Sequence, residues 1–152
     1  MNLTTYNHHF GSQAIKGEIL QPLFDALKTA RFEIKKGCAT PLRKVIERFI
    51  QMQGWSGNIK IDKAKKITLT SMKENVGFCL QTGNVGRFYA DMLKLQTLYL
   101  NGKIEAGICI LPTKQAANVM GDNLANFDRF VEELYLYRKI ITIPIFVIGI
   151  DI

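Results

Sequence analysis

The residues best suited to chemistry lie in one stretch of the chain, Val76–Gln96. An apolar run is followed by Thr82-Gly83-Asn84 and then by a long amphipathic segment, which predicts a buried strand, a turn and a helix. Backbone N–H groups at a helix start can hold phosphate, and Arg87, one turn on, would reinforce this. Arg87 and Lys94 are seven residues apart, roughly two turns, so they share one helix face. The stretch predicts either an anion site that includes Asn84, Arg87 and Lys94, or an ordinary capped turn before a solubilising helix face.

The cysteines offer little chemistry of their own. Cys38, Cys79 and Cys109 form no CxxC pair, and the last two lie in apolar, strand-like runs. As a nucleophile, Cys79 would need a neighbouring base, but the only histidines, His8 and His9, lie in a presumed loose leader. Nor do two adjacent histidines make a zinc site without further ligands. We therefore expect buried, reduced thiols in a cytoplasmic protein.

The charge of the chain is unevenly distributed. Residues 1–76 contain 13 Lys and Arg against 6 Asp and Glu, whereas residues 77–152 contain 7 of each, so the net charge of +7 lies in the first half. A basic surface on one part of a domain suits a polyanion such as DNA, although it also suits a merely soluble face. No apolar run reaches the ~18 residues of a membrane span, and no secretory signal is seen, which predicts a cytoplasmic protein without a membrane partner.

The order of predicted elements indicates a fold class. With 152 residues the chain predicts a single domain, in which residues 1–12 form the loose leader. Helices are predicted from Ser12 onward with a break near Pro22, and over 41–53, 82–100, 114–119 and 126–138. Strands are predicted over 58–62, 67–70, 76–80, 104–111 and 140–150. A three-stranded meander followed by a helical crossover into a parallel strand predicts an α/β protein with a mixed central sheet flanked by helices.

Several segments, in this order, resemble type II restriction endonucleases of the BglII/BstYI kind. They are Gly54-Trp55, Leu80–Asn84 with Arg87, Leu93–Gln96, Gly107–Pro112, and Ile143–Ile145 with Val147–Gly149. The resemblance runs from about residue 10 to the C-terminus. It implies the restriction-endonuclease-like PD-(D/E)XK core and a homodimer that cuts short palindromes in duplex DNA with a divalent metal such as Mg²⁺.

The resemblance also indicates where the catalytic site would lie. The active strand of these enzymes typically reads Glu-x-Gln or Glu-x-Lys, with an Asp eight or nine residues upstream. Residues i and i+2 of a strand share a face, so both side chains point at one phosphate. Here Gln81 matches, but the Glu position is Cys79, and Ser71 and Thr70 stand upstream. Because Mg²⁺ prefers carboxylate oxygens and a thiol is soft, we expect a degenerate site at Gln81, Cys79 and Ser71.

Other acids would have to replace the missing carboxylates if the protein cuts DNA. The weak candidates for metal ligands are Asp62, Glu47 and Glu74, each of which is also an ordinary surface charge. Glu105 is a further nearby acid. Lys73, near the strand start, is a candidate phosphate contact together with Asn84, Arg87 and Lys94.

The sequence is compatible with three hypotheses about function. The first is a homodimeric endonuclease that binds duplex DNA and uses Mg²⁺, and that is either active through unorthodox ligands or reduced in activity. The second is an inactive relative, a DNA-binding or protein-interaction module without a cofactor. The third is a small α/β protein whose basic half binds RNA or an acidic protein. The first two differ in metal-dependent strand scission, and the third predicts no preference for duplex DNA.

Overall fold

The computed structural model describes residues 1–151 and consists of one five-stranded sheet, a separate hairpin and five helices. The elements follow the chain as β1 (Asn2–His8), α1 (Gly17–Thr29), α2 (Ala39–Met52), β2 (Ile59–Asp62), β3 (Ile67–Leu69), β4 (Ser71–Lys73), β5 (Val76–Leu80), α3 (Arg87–Leu100), β6 (Ala106–Pro112), α4 (Lys114–Met120), α5 (Phe127–Leu136) and β7 (Ile145–Asp151). Within residues 1–151, no helix is long and apolar enough to cross a membrane.

The five-stranded sheet has the order β1-β7-β6-β5-β4. The three central strands β5, β6 and β7 are parallel, whereas the edge strands β1 and β4 are antiparallel to their neighbours. Every residue of β5 and β6 is buried, because helices cover both faces of the sheet. The predicted mixed α/β sheet flanked by helices is confirmed.

Successive side chains of β5 enter two different cores. Phe78 and Leu80 pack with α1 and α2, while Cys79 packs with Met92 and Leu95 of α3 on the opposite face. This alternation follows from the two-residue period of a strand. It places every odd-numbered residue at the end of β5 on the α3 side of the sheet.

Two glycines let α3 approach the sheet closely. Gly77 of β5 and Gly107 of β6 are register partners, and the Leu95 side chain lies over both. A Cβ at Gly77 would come within 2.8 Å of Leu95 Cδ2, and a Cβ at Gly107 within 3.0 Å of Leu95 Cδ1. The paired glycines therefore form a shallow groove that fixes the height and register of α3 above the strands.

The prediction of a loose leader at residues 1–12 is wrong for its first part. Residues Asn2–His8 form β1, which pairs with β7 from Asn2↔Asp151 to His8↔Ile145. The terminal ammonium of Met1 donates to the carbonyls of Lys28 and Ala30 at 3.0 and 2.8 Å. An edge strand needs only backbone pairing and few apolar side chains, so its sequence carries little hydrophobic signal.

The predicted meander is also corrected. The run at 58–62 does not join the main sheet but pairs with β3 in a separate two-stranded hairpin. The strand that pairs with β5 is the short, unpredicted β4, whose three residues are too few to show a period.

Helix boundaries shift by several residues. The first helix begins at Gly17 rather than Ser12 and runs through Pro22 without ending there. The second helix, α2, begins at Ala39 rather than at residue 41 and has no side-chain cap, and α3 begins at Arg87 rather than at Thr82. Pro41 is tolerated because it lies in the first turn, where the N–H has no helical partner.

Candidate functional site

A polar cleft of ≈ 490 Å³ opens where β5 ends. Its walls are α2, α3 and the extended segments around β2 and β3, and its lining residues are Arg43, Glu47, Asn58, Thr68, Thr70, Leu80, Gln81, Arg87, Ala90, Asp91 and Lys94. The carboxyl ends of parallel strands in open α/β sheets are where ligands commonly bind. The cleft therefore lies where the topology favours a site.

A chain of hydrogen bonds crosses the floor of the cleft. Gln81 Nε2 donates to Asp91 Oδ2 at 2.7 Å, and Lys94 Nζ donates to the other carboxylate oxygen of Asp91 at 3.1 Å. The amide oxygen of Gln81 accepts the backbone N–H of Gly83 at 3.0 Å. Both oxygens of Asp91 and both ends of the Gln81 amide are therefore engaged within the protein.

Arg43 ties α2 to the end of β5. Its Nη2 donates to the Leu80 carbonyl at 2.7 Å, and its Nη1 lies 3.4 Å from Glu47 Oε1. The carbonyl at the strand end is thus satisfied by a charged donor. Glu47 has its own cation partner on the same helix.

Cations outnumber carboxylates in the cleft, with Arg43, Arg87 and Lys94 against Glu47 and Asp91. Arg87 is exposed, and within residues 1–151 its guanidinium makes no hydrogen bond or ion pair. A guanidinium without an internal partner is well suited to a bidentate contact with phosphate. The cleft can bind an anion without displacing an existing contact of Arg87.

Asp91, like Arg43, is a charged residue of the cleft that is absent from the sequence-based candidates. The signal was present, because Arg87, Asp91 and Lys94 have spacings of four and three residues and so lie on one helix face. Only the shared face of Arg87 and Lys94 was used. Pairing of Asp91 with a glutamine ten residues upstream depends on the height of α3 above the sheet, which no local pattern encodes.

Cys79 lies beneath the cleft rather than in its lining. It is 2% exposed and faces Cys109, its register partner on β6. A hydrogen bond with Cys109, followed by burial and the nearby Asp91 carboxylate, raises the pKa of the Cys79 thiol well above its usual range. Neither histidine serves it as a base, since His8 and His9 bind the carbonyls of Ile141 and Arg138, and burial first of all lowers the pKa of His8.

Ser71 and Thr70 lie on opposite sides of the chain. Ser71 is fully buried in β4, and its Oγ donates to the Ser56 carbonyl at 2.6 Å, outside the cleft. Thr70 lines the cleft. Of the two upstream hydroxyls, the one chosen from the sequence, Ser71, is therefore not brought together with Gln81.

The other predicted residues divide between the cleft and the rest of the surface. Glu47, Gln81, Arg87 and Lys94 line the cleft. Asp62 accepts the Lys65 backbone N–H, Glu74 pairs with Lys16 at 3.0 Å, and Glu105 contacts Asn75, all outside it. Lys73 donates to the Gln53 carbonyl at 2.6 Å. Within the described residues, no group of three or more His, Cys, Asp or Glu is arranged to hold a metal ion.

Most backbone N–H groups of the turn after β5 already have acceptors within the protein. Asn84 Oδ1 accepts the Gly86 N–H at 2.9 Å, and the N–H groups of Val85 and Arg87 bond to Asn123 and Asn84 carbonyls. Anion binding at this turn stays a prediction, and Arg87 is the side chain at the start of α3 that lines the cleft.

Comparisons with solved structures define the class of fold. The crystal structure of restriction endonuclease BglII complexed with a DNA 16-mer superposes with a TM-score of 0.88 at 10% identity, covering 98% of this chain and 78% of that one. Free BglII gives a TM-score of 0.80 at 11% identity, covering 99% and 79%. At such low identity these matches establish the restriction-endonuclease fold and no more.

The sequence itself identifies the family. The restriction endonuclease BglII/BglIII family matches residues 3–150, so the chain belongs to this family. The resemblance predicted from the ordered motifs is thereby confirmed. Direct sequence comparison with curated proteins gives no significant match.

The burial of the thiols leads to a first prediction. We expect none of Cys38, Cys79 and Cys109 to react with a thiol reagent in the folded protein at pH 8, and all three to react after denaturation, because all are buried. A raised pKa also keeps Cys79 protonated and unreactive at that pH. Ellman titration measures this, and Lys103→Cys, at an exposed position, is the positive control. Rapid labelling of Cys79 in the folded protein would contradict its burial.

Proposed function

We propose that this chain binds duplex DNA through the cleft between α2 and α3, and that it does so without metal-dependent cleavage. The observation that carries the proposal is the charge of the cleft, in which Arg87 has no internal partner and three cations face two already-paired carboxylates. Cationic side chains that neutralise phosphates supply most of the affinity of nonspecific DNA binding. Family membership and the fold shared with a DNA-bound endonuclease support duplex DNA as the polyanion.

The cleft does not fit the Mg²⁺ ion that the resemblance implies. Mg²⁺ is usually bound by one or two free carboxylates together with water and phosphate. Asp91 already receives Gln81 and Lys94, and Glu47 receives Arg43, so a metal would have to compete with an existing cation for each. A protonated thiol at Cys79 and a hydroxyl at Thr70 supply no negative charge. We therefore infer that the site is degenerate and derive no catalytic step through a metal.

One observation favours a second candidate, metal-dependent cleavage through substitute ligands. Glu47 and Asp91 both line the cleft, from helices on its two sides, and Gln81 lies between α3 and the strand end. In that case the ion pairs of both carboxylates would open when metal and DNA bind. Asp62 and Glu74, engaged elsewhere, are not part of this candidate site.

A cleavage assay separates the two candidates. We expect plasmid DNA to stay supercoiled with Mg²⁺ or Mn²⁺ as it does with EDTA, because the metal charge stabilisation of several kcal/mol is missing. We expect the double variant Cys79→Glu/Thr70→Asp to gain metal-dependent cleavage. The matched control, Cys79→Glu/Ser71→Asp, should not, since Ser71 lies outside the cleft.

Thermal melting must show that these variants fold, because a carboxylate at position 79 enters a buried site. Metal-dependent cleavage by the natural protein would contradict the proposal that it binds DNA without cutting it, regardless of the results with the variants. Loss of that cleavage in both Glu47→Gln and Asp91→Asn would then establish the second candidate.

We predict that two substitutions in the cleft change the affinity for duplex DNA in opposite directions. Arg87→Gln should weaken duplex binding about tenfold and flatten the salt dependence by about one phosphate contact, since hydrogen bonds to charged groups contribute about 1.5–3 kcal/mol. Asp91→Asn should strengthen binding several-fold, because it removes a negative charge and releases Lys94. Fluorescence anisotropy over a range of salt concentrations measures both.

The control for these variants is Lys103→Gln, an exposed cation that does not line the cleft. Equal small losses in Arg87→Gln and Lys103→Gln, with a gain of the same small size in Asp91→Asn, would indicate nonspecific attraction to net charge instead of a cleft. Binding of single-stranded RNA as tightly as duplex DNA would instead favour the reading in which the basic half binds another partner.

We further propose that the chain forms a homodimer through an apolar patch at α3 and the end of α5. Leu93 and Ile140 are 60% and 65% exposed, and both line an apolar depression of ≈ 220 Å³. Exposed apolar patches commonly mark interaction surfaces. A patch that contains both protruding side chains and a depression can meet a second copy of itself across a two-fold axis, as a two-fold interface requires. A second copy of this chain is therefore the partner that we propose.

Sedimentation velocity tests the dimer. We expect the natural protein to sediment as a dimer and Leu93→Asp to sediment as a monomer, because a buried unpaired carboxylate disrupts an apolar interface. Val119→Asp, at a 41% exposed position outside the patch, is the matched control and should stay dimeric. A natural protein that is monomeric at all concentrations would contradict the proposal.

A further inference from the structure

The β2–β3 hairpin, residues 59–69, stands apart from the main sheet and has two unlike faces. Ile59 and Ile61 are half-buried, and Leu69 is 1% exposed, so one face packs against the core beneath α3. A two-stranded hairpin is marginally stable alone and needs such packing. The other face and the tip remain available to solvent.

The hairpin carries far more positive than negative charge. Lys60, Lys63, Lys65 and Lys66 are all exposed, whereas Asp62 is its single acid. Asp62 Oδ1 accepts the backbone N–H of Lys65 at 2.7 Å and so serves the turn. Within residues 1–151, none of the four lysine ammonium groups makes a salt bridge or hydrogen bond. Their mutual repulsion is not offset by any internal partner.

The strand register of the β2–β3 hairpin places its positive charge beside the cleft. Lys60 is the cross-strand partner of Thr68, so the two side chains share one face of the hairpin. Thr68 lines the cleft, as do Asn58 and Thr70 at two-residue spacing from Lys60 and Thr68. The polar face of the hairpin is therefore continuous with the cleft wall, and the other three lysines extend it to the tip.

We propose that this hairpin is a second phosphate-binding element, which follows the backbone of the duplex beyond the cleft. The inference rests on the proposed function and assigns a further part of the same DNA contact. Four residues of strand span about 13 Å, which corresponds to about four base-pair steps along a DNA axis. The hairpin thus has the length and charge to contact phosphates that the cleft does not reach.

The test is the salt dependence of duplex binding by the variant in which Lys60, Lys63, Lys65 and Lys66 are changed to Gln. We expect the slope of log affinity against log salt to fall in magnitude by about 2–4, since each phosphate contact contributes about 0.9. At ~0.1 M salt we expect the affinity for duplex DNA to fall at least about tenfold. Thermal melting should show no loss of stability, because all four side chains are exposed.

The control is a second quadruple variant that has the same net charge as the hairpin variant. Lys36, Lys103, Lys114 and Lys139 are exposed and do not line the cleft, and changing these four to Gln should alter the slope by less than about one contact. Equal effects of the two quadruple variants would overturn the hairpin proposal, as would an unchanged slope in the hairpin variant.

The cleft variant separates this proposal from the one on which it rests. If Arg87→Gln weakens binding and the hairpin variant does not, the cleft stands and the hairpin proposal is wrong. If the natural protein does not bind duplex DNA, both are wrong. A loss in the hairpin variant that adds to the loss in Arg87→Gln supports two independent contacts with one duplex.

Discussion

The close packing of α3 on β5 and β6 is the constraint on which the candidate site depends. Gly77 and Gly107 leave room for Leu95 directly over the paired strands, so α3 cannot rise or slide without opening a gap or a clash. Asp91 precedes Leu95 by one helical turn and is thereby held within hydrogen-bonding distance of Gln81. A packing contact in the core thus fixes a polar contact in the cleft.

That polar contact changes what the cleft can attract. In a metal-dependent nuclease, free carboxylates repel the phosphate until a metal ion offsets them. Here Asp91 is neutralised by Lys94 and Glu47 is paired with Arg43, while Cys79 adds no charge because its thiol pKa is raised. On the proposed function, the cleft would attract phosphate without an added ion. The proposed absence of metal-binding carboxylates and the proposed DNA affinity are consistent, because removing negative charge from a polyanion site favours binding.

How much could be predicted from the sequence depended on whether the signal was local. The buried run Val76–Leu80 and the helix after it were recognised because an apolar run and a 3.6-residue period are properties of adjacent residues. The strand Asn2–His8 was missed because its stability comes from pairing with β7, almost 150 residues later in the chain. The single-domain organisation and the cytoplasmic location stay predictions.

The candidate site shows the same division between local and distant information. Gln81 was indicated by the family resemblance, and Arg87 and Lys94 by their shared helix face, and all three line the cleft. The choice of Ser71 over Thr70 failed because a shift of one residue reverses the face of an extended chain, and nothing nearby fixed which face meets β5. The face on which Ser71 lies is determined by its cross-strand pairing with Phe78. That pairing is a property of the folded structure and leaves no pattern in the local sequence.

Separation of the β2–β3 hairpin from the main sheet has a physical consequence for ligand binding. Its fold depends on the apolar contacts of one face, while unpaired lysines on the rest of its surface repel one another. A bound polyanion would relieve this repulsion and so stabilise the hairpin as well as the complex. Thr68 belongs both to the hairpin and to the cleft wall, so ordering of one must affect the other. The hairpin and the cleft are therefore expected to respond to the same ligand, although the sheet that supports the cleft does not include the hairpin.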